Sequence, residues 1–122
     1  MKNLLIIEPD KQLAGTLRKY FEPDYAVSVS RNAQAAISSA DDNKPDAVVL
    51  ELAMSEHNGV AFLQEFRSYG DWLTVPVVIY SHIPRDDVGL TDAEWNKLGV
   101  VNYLYKPVIS LDKLGKTLKE VI

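Results

Sequence analysis

Five apolar runs of strand length alternate along the chain with segments in which apolar residues recur three and four positions apart. That alternation is the mark of βα units around a parallel sheet. The first strand is predicted over Asn3 to Ile7, nearly all apolar, as a strand covered on both faces must be. Asp10 then stands where a helix cap belongs. The helix it opens runs to about Phe21, with Leu13, Leu17 and Tyr20 or Phe21 inward and Lys11, Arg18 and Lys19 toward water. Pro23 closes it. A shorter second strand, Tyr25 to Val29, precedes a small-residue helical face of Ala33, Ala36, Ile37 and Ala40, after which Pro45 resets the chain.

The third strand, Ala47 to Leu52, is apolar throughout except for Glu51, and a carboxylate in a buried strand requires a reason. A loop from Ala53 to Asn58 leads into a helix with Val60, Leu63 and Phe66 inward, ending near Gly70. Pro76 to Ser81 reads as strand four. After a polar stretch from His82 to Gly89, Thr91 and Glu94 have capping-box spacing before a short helix through Leu98, and Gly99 can end it. Val100 to Tyr105 is strand five. Ser110 can cap a last helix that buries Leu111, Leu114, Leu118 and Val121.

Right-handed crossovers and the chain length favour an α/β, flavodoxin-like (βα)5 three-layer sandwich with a parallel sheet in the order 2-1-3-4-5. Ligand sites in such sheets lie at the carboxyl ends of the strands. Glu8 follows strand one, Glu51 ends strand three, Ser81 ends strand four and Lys106 follows strand five, so four polar groups converge on one rim.

Composition narrows the functions open to such a rim. At 122 residues, residues 1–122 form one domain, and 47% hydrophobic with 25% charged residues is ordinary for a globular protein. A formal charge of −4 supplies no positive field for nucleic acid or an anionic membrane surface. The chain has no cysteine, which excludes disulfides and thiolate metal sites. The apolar run Leu4 to Ile7 is too short for a signal-peptide core or a membrane span, so the expected location is cytoplasmic.

The segments LLIIEPD, PDAVVLELAMSEHNG, VPVVIYS and YLYKP together resemble the receiver domain of bacterial response regulators, over Leu4 to Val121. The spacings from Glu51 to Gly59 and from Glu51 to Ser81 are similar to the family's as well. The resemblance implies two-component phosphorelay signalling, in which an aspartate takes a phosphoryl group with help from a divalent metal on an acidic pair, a lysine, and a serine or threonine. It places Ser81 and Lys106 at the hydroxyl and lysine positions, Pro107 after that lysine, and Tyr103 at the switch aromatic. The phosphoacceptor position, however, holds Glu51, and the acidic pair is Glu8 followed by Pro9.

Those departures bear on the chemistry. Phosphoryl transfer depends on in-line positioning and on neutralisation by a cation, and Pro9 offers no side-chain ligand. Glu51 is longer than aspartate by one methylene, which moves its carboxylate by about 1 Å. Asp10 could replace the missing ligand, yet its place at a helix start assigns it to capping. The expectation is a pseudo-receiver with no magnesium site and no conventional aspartate phosphorylation, acting through protein partners and not as an enzyme. Glu51 is expected to reach Lys106, either imitating part of a phosphoaspartate or only neutralising a charge near the core. The rival readings are a receiver phosphorylated by a kinase or small phosphodonor at a non-standard site, and a small-ligand module using the same rim.

Other residues have plainer readings. His82 stands where the family has a small residue, and its ring either obstructs the pocket or points to solvent. Glu56 with His57 is too little for a metal site, and Glu8 with Glu51 lacks the sugar-binding aromatics of a glycosidase. Residues 81 and 106 are 25 apart, a few more than is common in the family, and the excess falls in IPRDDVGLTDAEW. In receivers the face of the fourth helix, fifth strand and fifth helix serves output contacts or a homodimer. Here it includes Trp95, Tyr103 and Tyr105, with Trp95 expected to pack beneath the enlarged loop.

Overall fold

A computed structural model describes residues 1–54 and 58–122 of the chain. The five apolar runs become one parallel sheet: β1 (Asn3–Ile7), β2 (Ala26–Ser30), β3 (Ala47–Leu50), β4 (Val77–Ser81) and β5 (Val100–Tyr105), in the order β2-β1-β3-β4-β5. Between and after them run α1 (Lys11–Phe21), α2 (Ala33–Asp42), α3 (Gly59–Phe66), α4 (Asp92–Lys97) and α5 (Leu111–Val121). Each helix starts at a side chain that accepts a backbone N–H otherwise left without a partner: Asp10, Asn32, Asn58, Thr91 and Ser110. At Thr91 the bond is reciprocated by Glu94, completing the capping box.

Successive strand residues point to opposite faces, and this divides the core in two. Leu5, Ile7, Val48, Leu50, Val77 and Ile79 pack with α2, α3 and α4 through Ala36, Phe62, Phe66 and Trp95. Leu4, Ile6, Val49, Val78 and Leu104 pack with α1 and α5 through Leu17, Phe21, Leu114 and Leu118. The result is the three-layer arrangement expected from the apolar pattern.

Local packing differs from the periodic reading in a few places. α1 buries Ala14, Leu17 and Phe21, while Leu13 is half-buried and Tyr20 turns outward to hydrogen-bond Asp112. α3 buries Phe62 where Val60 was expected, because its inner stripe continues the aromatic stack Phe62, Phe66, Trp72, with centroid separations of 5.4 and 4.9 Å. α3 ends at Phe66, and a separate 3-10 turn, Gly70–Trp72, tucks Trp72 beneath it. β2 lies one residue later than predicted. β3 stops at Leu50, so Glu51 and Leu52 lie beyond the strand; the chain bends there because Leu52 O accepts the Gly59 N–H at 2.8 Å. A Cβ on Gly59 would lie 2.6 Å from Leu52 Cδ2, so this close approach requires glycine.

Trp95 is 3% exposed and meets the Tyr103 ring edge-on at 5.4 Å, with Val88, Leu90 and Leu98 packed against the same cluster. It supports the enlarged loop from below and is not a surface anchor. β5 is an edge strand whose pairing skips from Val100 to Asn102 against Val77 and Val78, leaving Val101 as a bulge. Such an irregularity blunts an open edge against strand addition.

Candidate functional site

The carboxyl ends of β1, β3, β4 and β5 lie side by side, and each delivers one polar side chain. Glu8 follows β1 and is held by its N–H on Ser30 O at 2.9 Å; Glu51 follows β3 and donates its N–H to Ile7 O at 3.0 Å. Ser81 is the last residue of β4, and Lys106 opens the 3-10 turn that follows β5. Glu8 and Glu51 are only 3% and 1% exposed, a degree of burial that carboxylates tolerate only when paired.

The pairing is extensive. Lys106 Nζ donates to Glu51 Oε1 at 2.7 Å and to Glu8 Oε1 at 2.5 Å, so one ammonium serves two carboxylates. Glu51 Oε1 also accepts the His82 backbone N–H at 3.2 Å and faces His82 Nδ1 at 2.7 Å. Its Oε2 accepts from Ser81 Oγ and from the Ala53 N–H at 3.1 Å. Glu8 Oε2 accepts the Asp10 N–H at 3.1 Å. Glu51 therefore receives five donors, more than the roughly four lone-pair directions of a carboxylate.

Burial by itself would push the Glu51 carboxyl up, but hydrogen bonds from Lys106, Ser81 and Ala53, with the charge of Lys106, outweigh it and hold the group below its ordinary value. For Lys106, burial would push the ammonium down, while hydrogen bonds to Glu51 and Glu8 and their charges hold it above its ordinary value. The lowered carboxyl contributes stability that is present above 4.5 and lost as pH falls through its folded value. The raised ammonium contributes stability present below 10.5 and lost as pH rises through its folded value. The stability advantage of wild type over Glu51→Gln, read from urea denaturation, is thus expected to be level across neutral pH and to shrink below 4.5. An advantage that grows toward acid would contradict the assignment.

The fold and the rim agree with one family, whose model, the response regulator receiver domain, matches residues 4–119. The chain belongs to that family. It is 30% identical over 110 residues to the KDP operon transcriptional regulatory protein KdpE of Escherichia coli K12, covering 88% of this chain and 45% of that protein. Over 124 residues it is 26% identical to protein-glutamate methylesterase/protein-glutamine glutaminase 2 of Carboxydothermus hydrogenoformans, covering 98% of this chain and 34% of that protein. The receiver thus spans less than half the length of these relatives. Among solved structures, chemotaxis protein CheY4 of Vibrio cholerae superposes with a TM-score of 0.87 at 18% identity, covering 100% and 99% of the two chains. A two-component response regulator from Clostridium difficile gives 0.84 at 25% identity, covering 99% and 95%. Receiver domains are generally non-enzymatic signalling domains that interact with protein partners such as kinases and effectors. Among the described residues, no helix is long and apolar enough to cross a membrane.

In this receiver the residues named from sequence fall into two groups. Glu8, Glu51, Ser81 and Lys106 meet; the side chains of Pro9 and Asp10 do not join them, and Asp10 contributes only its backbone N–H, to Glu8. Pro9 presents its backbone carbonyl to Arg31, whose Nε and Nη2 donate to it at 3.2 and 3.0 Å. Asp10 Oδ1 caps α1 through Gln12 N at 2.9 Å and Leu13 N at 3.3 Å. Glu56 and His57 lie outside the described residues. Tyr103 lies behind the cluster, with its hydroxyl donating to Ile83 O at 2.6 Å, while the Ile83 N–H donates to Ser81 Oγ at 3.1 Å. A continuous chain of contacts therefore runs from Glu51 through Ser81 and Ile83 to Tyr103, and from there to Trp95 in α4.

His82 is the member that sequence reasoning left undecided. Its ring is bound to the pocket carboxylate and also open to solvent, 62% exposed. An ionised carboxylate only accepts, so the proton on the ring faces Glu51 from Nδ1. The spacing to Ser81 carried a signal for this, because the residue after a strand-end hydroxyl can reach the same rim. The two outcomes it left open are both realised by one ring.

Proposed function

We propose that this receiver domain acts in two-component signalling as a pseudo-receiver: a protein-binding module whose pocket is closed by its own side chains and works without phosphorylation of the carboxylate at position 51. The observation that carries this reading is the saturation of Glu51 by Lys106, Ser81, Ala53 and His82. A carboxylate must present a free oxygen to attack phosphorus, and Glu51 has none to present. Transfer also needs a cation on the moving oxygens. The groups at the rim do not fit a divalent ion: Pro9 has no side-chain oxygen, Asp10 caps α1, and both oxygens of Glu8 are engaged. Among the described residues, no three His, Asp or Glu side chains are grouped to hold a metal.

In this reading the chain of contacts from Ser81 to Tyr103 and Trp95 makes Tyr103 the link between pocket and output face. Partners, including a second copy, bind at α4, β5 and α5. Incubation with acetyl phosphate and magnesium, followed by intact mass, is expected to show no added phosphoryl group that hydroxylamine removes. A hydroxylamine-labile adduct on wild type that is absent from Glu51→Ala would establish the rival reading, a receiver phosphorylated at a non-standard acceptor.

A further inference from the structure

His82 stands apart from the other four donors to Glu51. Ala53 and His82 backbone N–H groups are fixed by the chain, Ser81 is fully buried at the end of β4, and Lys106 is tied to Glu8 as well. The His82 ring alone is exposed, so its removal leaves the sheet's packing untouched. We infer that the His82 ring is the gate of the pocket, a specificity-determining group that excludes divalent cations from the Glu51 carboxylate by occupying the oxygen a cation would need. The inference rests on the closed-pocket reading and goes beyond it by assigning the closure to one removable side chain.

The physical case has two parts. First, Oε1 already accepts from Lys106 Nζ, His82 N and His82 Nδ1, so a cation approaching that oxygen meets three hydrogen-bond donors. Ring N–H dipoles point their positive ends at the oxygen, and an incoming cation must displace them before it binds. Second, Pro9 is not the whole barrier. Supplying a carboxylate at position 9 restores a ligand, but leaves the oxygen of Glu51 occupied. Loss of the metal ligand and gain of the ring are separate obstacles, and each should be removable independently of the other.

The test compares Pro9→Asp with the double variant Pro9→Asp/His82→Ala, titrating each with magnesium chloride and reading affinity by calorimetry and by the shift in Tm. Pro9→Asp alone is expected to bind magnesium weakly or not at all. The double variant is expected to bind about tenfold or more tightly, the size expected on releasing a hydrogen bond to a charged group. Pro9→Asp/His82→Gln, which keeps an N–H donor of similar reach, should return the weak affinity; a merely structural role for the ring would move Tm without moving affinity. Equal magnesium affinity in the first two variants overturns the inference. Pro9→Asn carries the same comparison if the aspartate variant does not fold. Phosphorylation of wild type bears on the closed-pocket reading alone, so the two failures are distinguishable.

Discussion

Lys106→Met is expected to destabilise the protein by about 3–5 kcal/mol at neutral pH, the range for stranding buried charge by removing its partner. Among the described residues Lys106 is the only ammonium on the two carboxylates, with its side chain 13% exposed, and it bonds both. Without it Glu51 keeps Ser81, Ala53 and His82, and Glu8 keeps the Asp10 N–H, but two like charges remain facing one gap. One of them should take up a proton, with a folded pKa above its unfolded value. A group raised in this way contributes stability that is present at acid pH and lost as pH rises, so the variant should become relatively more stable toward acid, the reverse of wild type. Adding Glu8→Gln and Glu51→Gln to Lys106→Met should recover much of the loss, since removing the whole set strands no charge. Urea denaturation across pH measures all three. A loss of under about 1 kcal/mol for the single variant would mean that the pair behaves as a surface salt bridge.

At the opposite end of the sheet, Gly99→Ala should destabilise the protein by about 3 kcal/mol, combining left-handed backbone strain with lost hydrogen bonds to a charged group. Gly99 has φ of +75°, and a Cβ there would lie 1.9 Å from Arg67 Nη2. The space is taken because the Arg67 guanidinium donates to four backbone carbonyls: Leu98 O at 2.8 Å, Trp72 O at 2.5 Å, Gly99 O at 3.3 Å, and Val75 O. Burial pulls its pKa down, yet it remains a cation at the carboxyl end of α4, where the helix dipole favours one. A double-mutant cycle with Arg67→Ala should show strong coupling, because the added Cβ and the guanidinium compete for the same space. Gly15→Ala is the contrasting case. Gly15 sits within α1 with nothing within 4 Å of an added Cβ, so alanine should be neutral or stabilise by up to about 1 kcal/mol. Similar losses at both glycines would refute the Arg67 explanation.

How much was legible in advance differs by residue. β1 and β5 were readable to their ends because apolar strand runs are bounded by polar or charged groups, and α5 was readable because Ser110 announces it. The end of β3 was not, since Glu51 and Leu52 read as more strand and only the contact between Leu52 and Gly59 bends the chain away. Val60 and Phe62 were indistinguishable by period alone. The aromatic stack with Phe66 and Trp72 selected between them. Glu51 was marked as requiring a partner and Lys106 was named for it, because a buried carboxylate has few alternatives. That Lys106 also holds Glu8 could not be read, since one ammonium reaching two carboxylates depends on angstrom-scale placement of three strand ends.

What the amino-acid order determined by itself was the succession of elements, their caps, and the set of polar side chains that had to share one sheet edge. Those follow from short-range rules: strand runs hydrophobic on both faces, helical period, and hydroxyl or carboxylate groups at helix starts. The tertiary structure alone decided how the edge was wired. It gave Pro9's carbonyl to Arg31 and brought an exposed imidazole onto a buried carboxylate. The reason is that a hydrogen bond forms or fails over a few tenths of an ångström, and distances on that scale are set by the packing of all the strands together.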